Sequence, residues 1–215
     1  MRAGRYLILR LAVTALALTV WFWTQSLLGA RHAPPAGIGD GLHQLTAPLN
    51  AYFFDHPHPA NVFLIVSSGC IDALGLFLLA SWLFGPSVRP FLGLLILLGL
   101  RQLMQALCAL PPPPNMIWRD PGFPSLLVTY AVASDFFFSG HTAIAVFGAT
   151  QLIRVGKAWL TALAFLVILF EASTVIVLRA HYTMDVFTGV LAALWVAALL
   201  DGLAPPVDRL LALRP

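Results

Sequence analysis

Two histidines in this chain stand in contexts that suit imidazole chemistry. His181 sits in RAHYTMD with Asp185 four residues on, the spacing that stacks two side chains on one face of a helix. A carboxylate so placed accepts the proton of one ring nitrogen and leaves the other as a lone pair aimed at a substrate. His141 sits in SDFFFSGHTA, six residues after Asp135, with three phenylalanines and Ser139-Gly140 between them. Two plainer readings stay open on these residues alone: interfacial hydrogen bonding at helix ends, and axial ligation of a haem between helices. The haem reading leaves Asp185 and Arg101 unexplained.

Three further charges, Asp72, Arg101 and Glu171, fall well inside apolar stretches, and Glu171 is the only glutamate in the chain. At about 1.5 Å per helical residue, each lies roughly 15 Å below the level of the histidines. Charges at that depth are costly and face an interior or find partners, so the three are expected to meet beneath the histidine pair, either lining a polar shaft or fixing helix packing. The run FFDHPHP, with Asp55, His56 and His58, has the residue types of a metal site. No further ligand accompanies it, so no metal is expected.

The elements that must position these residues follow from composition. The 215 residues are 60% hydrophobic and 10% charged, with a mean hydropathy of +0.87, which places the chain in a bilayer rather than in water. Crossing the hydrocarbon takes about 20 mostly apolar residues per helix. Six stretches are expected to do so: Tyr6 to Leu28, Val62 to Phe84, Phe91 to Leu110, His141 to Ile153, Trp159 to Leu178 and Met184 to Leu203. The fourth is short as written, with room to begin upstream among the phenylalanines. The fold class expected is an all-α, six-span bundle forming one domain over residues 1–215. The first stretch is too long for a secretory signal and lacks a clean cleavage site.

Arg2, Arg5, Arg10, Arg89, Arg154, Lys157, Arg209 and Arg214 flank alternate ends of these spans. The positive-inside rule makes those ends cytoplasmic and places both termini there. The fourth span then starts, and the fifth ends, on the outer side, so His141 and His181 share one face of the membrane. The remaining outer segments are Gly29 to Asn61 and Pro111 to about Asp135. A net charge of +3 without a basic run argues against nucleic acid as a partner. Cys70 and Cys108 fall inside expected spans, where a thiol behaves as a small hydrophobe.

DFFFSGHT followed some forty residues later by HYTMD resembles the paired motifs of the sphingomyelin synthases and ceramide phosphoethanolamine synthases, a branch of the type 2 phosphatidic acid phosphatase superfamily. PLNAYFFDH, Pro48 to His56, is similar to an upstream block of that family, and Arg101 stands at its Arg-to-Leu-Pro interval before Leu110-Pro111. The motif-bearing core is thus about residues 48–189. Val175 occupies the position where the metal-free phosphatases of the superfamily carry an arginine, which favours the synthase branch.

The resemblance implies a six-helix enzyme that moves a phosphorylated headgroup between lipids through a phosphohistidine, with no cofactor and no metal. Carried over, His181 is the nucleophile, Asp185 its orienting carboxylate and His141 the acid that protonates the departing lipid alcohol. Arg101, Asp135, Ser139 and Gly140 are expected at the phosphate, with Asp72 and Glu171 as further substrate-side candidates. Membrane phospholipid is the implied substrate, diacylglycerol the product, and ceramide, another lipid alcohol or water the acceptor, in a monomer or a homo-oligomer.

This chemistry makes sense on elementary grounds. A phosphodiester repels nucleophiles with its own charge and leaves a poor alkoxide. A neutral imidazole, a cation over the phosphate and a proton donor answer those problems in turn. A lipid phosphate phosphatase acting on monoesters is the alternative enzyme, and a haem- or lipid-binding bundle the alternative outside catalysis. Eleven arginines beside a single lysine point to a GC-rich bacterial gene, and hence to an inner membrane with the site facing the periplasm.

Overall fold

The computed structural model describes residues 2–30, 38–130 and 136–211, apart from the side chains of residues 2–5, 28 and 29. It is all-helical, with no strand among the described residues: α1 (Arg2–Gly29), α2 (Gly41–Leu45), α3 (Ala47–Asp55), α4 (Pro57–Phe84), α5 (Arg89–Leu107), α6 (Gly140–Arg154), α7 (Ala158–Val177) and α8 (Thr183–Leu210). Among the described residues, five helices, α1, α4, α5, α7 and α8, are long and apolar enough to cross a membrane. These apolar helices fit an integral membrane protein.

The expected fourth span is the exception. α6 has 15 residues, about 22 Å at the helical rise, short of a hydrocarbon core of about 30 Å. It does not extend upstream either, because Phe136 to Ser139 are non-helical and Ser139 caps the first turn. Burial compensates for length. α6 runs through the middle of the bundle against α4, α5, α7 and α8, and nearly every side chain from His141 to Leu152 is buried. A helix shielded by longer neighbours need not itself match the bilayer.

Other boundaries shift for local reasons. The outer segment expected as a loop from Gly29 to Asn61 contains α2, capped by the Asp40 carboxylate, and α3, with a proline in its first turn. α4 consequently begins at Pro57, five residues before Val62. α5 stops at Leu107, ahead of the four prolines at 111–114, and α8 continues through Pro205 and Pro206 to Leu210.

Arg10, Arg89 and Arg154 lie at the end of the bundle opposite the histidines. Arg89 Nη1 meets Asp201 Oδ1 at 2.7 Å, and Arg154 pairs with the same carboxylate. Arg10 donates to the Leu83 carbonyl at 2.6 Å. Asp208 closes this end, accepting from the Val88 amide at 2.7 Å and from Ser87 Oγ at 2.8 Å. Charges buried away from water thus have partners.

Candidate active site

The two histidine motifs are far apart in sequence, yet α6 and α8 begin side by side. The Ser139 amide donates to the Asp185 carbonyl at 3.1 Å. Gly189, one turn further into α8, comes so close that a Cβ there would stand 2.8 Å from the Ser139 carbonyl oxygen. Only a glycine allows this approach. Ser139 itself is buried and caps α6, its Oγ accepting from the Thr142 amide at 3.3 Å.

His181 lies in the turn between α7 and α8, just after Arg179, whose φ of 55° is left-handed. Its amide donates to the Val175 carbonyl at 3.2 Å. The ring Nδ1 faces Asp185 Oδ2 at 3.7 Å, longer than a hydrogen bond. Asp185 is fully buried, and the same Oδ2 accepts from the Tyr182 amide at 2.9 Å, as the N3 residue of a capping box. His181 Nδ1 and Asp185 Oδ1 are buried without a hydrogen-bond partner, an arrangement one small ring movement away from a charge-assisted bond.

His141 is the second residue of α6, and its ring meets Trp118 edge-on at 5.0 Å and 88°. It is near enough to His181 and Arg101 to interact electrostatically with both, and its buried Nε2 has no hydrogen-bond partner. Arg101 reaches the same place from α5. Its Nε donates to the Phe138 carbonyl at 2.9 Å, and its Nη1 to Gln25 Oε1 at 3.4 Å. The guanidinium lies over Gly140, where a Cβ would stand 3.0 Å from Nε. Arg101, Gly140, His141, Trp118, Thr129 and Trp21 share the lining of one small cavity.

The structure therefore brings together His141, His181, Asp185, Arg101, Ser139 and Gly140. Asp135 lies outside the described residues. Asp72 and Glu171 are engaged elsewhere. Asp72 holds the connection ahead of α6, accepting from the Leu126 and Leu127 amides at 2.8 and 2.9 Å. Glu171, fully buried in α7, accepts from Ser67 Oγ at 2.6 Å. The expected meeting of Asp72, Arg101 and Glu171 is thus replaced by separate partners, because backbone amides and hydroxyls at the same depth were closer to hand. His56 also has a local role, donating from Nδ1 to the Tyr52 carbonyl at 2.8 Å and stacking on the Tyr52 ring.

Residues that sequence reasoning missed come from the α2 segment, Gln25 and Trp118. Asp40 caps α2 through the Leu42 and His43 amides at 2.9 and 3.1 Å. The same carboxylate accepts from the Thr183 amide at 2.5 Å and from Thr183 Oγ1 at 2.6 Å. Partial burial pushes its pKa up, but the Thr183 and His43 bonds and the His43 charge outweigh that and hold it below the ordinary carboxylate value. Asp40 was not singled out from sequence, although aspartate is a preferred cap residue type; nothing in sequence pointed to its reach to α8.

One family model matches the chain, AtPDCT1/2, the phosphatidylcholine:diacylglycerol cholinephosphotransferase family, over residues 40–202. No curated protein and no solved structure matches. The family match overturns the sphingomyelin synthase and ceramide phosphoethanolamine synthase assignment. The motifs that carried it contain nothing that distinguishes a ceramide acceptor from a glycerolipid one. With its match beginning at Asp40 and covering both histidine motifs, the chain belongs to the AtPDCT1/2 family.

Proposed function

We propose that this membrane protein transfers phosphocholine from phosphatidylcholine to diacylglycerol through a phosphohistidine on His181. The observation that carries the reading is the facing of His181 Nδ1 and Asp185 Oδ2 at 3.7 Å, beside His141 and Arg101. With its Nδ1 proton turned toward Asp185, His181 presents the Nε2 lone pair to phosphorus. The N–P bond forms as the bond from phosphorus to the diacylglycerol oxygen breaks, and His141, whose protonated form the bound phosphodiester anion favours against burial and its cationic neighbours, gives its proton to that oxygen. Neutral His141 then takes the hydroxyl proton of an incoming diacylglycerol, whose oxygen displaces His181 from phosphorus. Protons and electron pairs balance over the cycle.

Arg101 supports this chemistry as a fixed cation beside the α6 N-terminus, where backbone amides also favour anionic oxygen. Its Nε bond to the Phe138 carbonyl keeps the guanidinium in place. Acceptance by diacylglycerol rests on the family, which names that lipid. The clustering of Arg10, Arg89 and Arg154 at the opposite end supports a histidine face directed away from the cytoplasm, which in a bacterial inner membrane is the periplasmic face.

The test incubates purified protein with phosphatidylcholine and isotope-labelled diacylglycerol and follows products by mass spectrometry, beside His181→Ala. Labelled phosphatidylcholine, lost in the variant, is the expected result. Free phosphocholine without labelled phosphatidylcholine would make the protein a phospholipase C. Turnover of phosphatidic acid alone would make it a phosphatase, and a ceramide product in competition would move the acceptor to sphingolipid.

A further inference from the structure

The turn that carries His181 is short and left-handed at Arg179, and it is held from outside by α2. His43, buried at 4% exposure, donates from Nε2 to the His181 carbonyl at 3.0 Å. Its ring stacks on Tyr182 at 5.6 Å and 28°. Its own carbonyl accepts from Arg179 Nη2 at 3.1 Å, so residues 179, 181 and 182 all touch one histidine. Asp40 fixes that histidine twice over, since it caps the His43 amide and grips Thr183 through both carboxylate oxygens. The nucleophile's backbone is thereby bracketed on both sides by one five-residue helix and its cap.

We infer that His43, anchored by Asp40, is a positioning residue that sets the His181 ring against Asp185. The inference rests on the proposed role of His181 as nucleophile. At 3.7 Å the His181–Asp185 pair stands just outside hydrogen-bond range, so a shift of well under 1 Å at the His181 backbone decides whether that bond closes. Neither Nδ1 nor Asp185 Oδ1 has another partner to hold the ring. The His181 amide is tied to Val175 in α7 and the carbonyl to His43; of these two, only the His43 tie comes from outside α7 and the turn that follows it. Neither His43 nor Asp40 touches the reacting atoms, and both act through His181 and Thr183.

The experiment compares wild type with His43→Ala, His43→Gln, Asp40→Asn and Ser87→Ala, the last a bond lost at the far end of the bundle. Headgroup-transfer kcat and KM are measured together with amide hydrogen exchange over 177–185 and diethylpyrocarbonate reactivity of His181. A misplacement of about 1 Å costs up to about 100-fold in rate. His43→Ala is therefore expected to lose about 10- to 100-fold in kcat with KM within about twofold, and to exchange faster at 177–185. His43→Gln, whose amide supplies the same donor, recovers most of both. Ser87→Ala changes neither.

Faster exchange with unchanged kcat would overturn the inference, as would equal losses in His43→Ala and His43→Gln that track thermal stability alone. Should His43→Ala not fold, Asp40→Asn carries the same comparison. Should the wild type transfer no headgroup, the proposed function fails, yet exchange and His181 reactivity still decide whether His43 holds the turn.

Discussion

The Asp185 carboxylate faces the His181 imidazole with Oδ2 3.7 Å from Nδ1, while the same oxygen accepts the Tyr182 amide at 2.9 Å. One buried acid therefore serves both as the cap of α8 and as the partner of the candidate nucleophile. The two duties separate in Asp185→Asn. Its amide oxygen keeps the Tyr182 bond at the Oδ2 position and still faces Nδ1, but the carboxylate charge that would support the imidazole through transfer is gone. Transfer is expected to fall about 10²- to 10⁴-fold, with thermal stability close to wild type. Retention of more than a tenth of the activity in a rate assay would reduce Asp185 to a helix cap.

Gly189 sits where α8 touches the start of α6, and the two nearest atoms it faces are backbone. A methyl group 2.8 Å from the Ser139 carbonyl has no flexible neighbour to displace. Gly189→Ala should therefore destabilise by about 1–3 kcal/mol and move His141 relative to His181, lowering kcat more than a distant mutation of equal stability cost. Gly202→Ala, in the same helix with open space around the added carbon, is the control. Equal behaviour of the two in unfolding and transfer assays would remove the close approach from the argument.

Sequence legibility differed between the layers of this molecule. Hydropathy was enough for α1, α4, α5, α7 and α8, because lipid-facing helices must be apolar along their whole length. It also located α6, expected over His141 to Ile153 and observed as Gly140–Arg154, but read it as a span, whereas a helix enclosed by protein is not constrained by bilayer thickness. His181 and Asp185 were expected to stack on one helix face; they do face each other, but from the turn before α8 and from its first turn, with His181 outside the helix. The α2 clamp was not readable, because the contact of Asp40 with Thr183 spans most of the chain and nothing in either segment announces the other. The acceptor was beyond the motifs altogether, as they say nothing of which lipid takes the headgroup.

Asp72 and Glu171, both candidates for substrate contact, are expected to behave differently from the histidines and from each other. Asp72 accepts two adjacent amides with separate oxygens, so Asp72→Asn turns one acceptor into a donor facing a donor. The cost is about 1–3 kcal/mol, read as a lower unfolding temperature with kcat in the wild-type range. Glu171 accepts from Ser67 through Oε2, and its Oε1 has no partner. Glu171→Gln keeps the accepting oxygen and should be neutral or stabilising, with transfer unchanged. A large kcat loss in Glu171→Gln at unchanged stability would instead bring Glu171 into the catalytic path.

The Asp40 clamp has a pH signature whose sign follows from its depressed pKa. Burial opposes the shift, but the bonds from Thr183 and His43 and the His43 charge prevail, so the carboxylate is favoured in the folded protein. Such a group contributes its full stabilisation above the unfolded carboxyl pKa of about 3.9 and loses it as pH falls through the lower folded value. Asp40→Asn should accordingly unfold at a lower temperature than wild type at pH 7, and the difference should shrink once the pH drops below about 4. Thermal unfolding of both proteins in detergent, from neutral pH down to about pH 3, measures this directly. A difference that stays constant across the series would mean that the shape of the side chain, and not its charge, joins α2 to the start of α8.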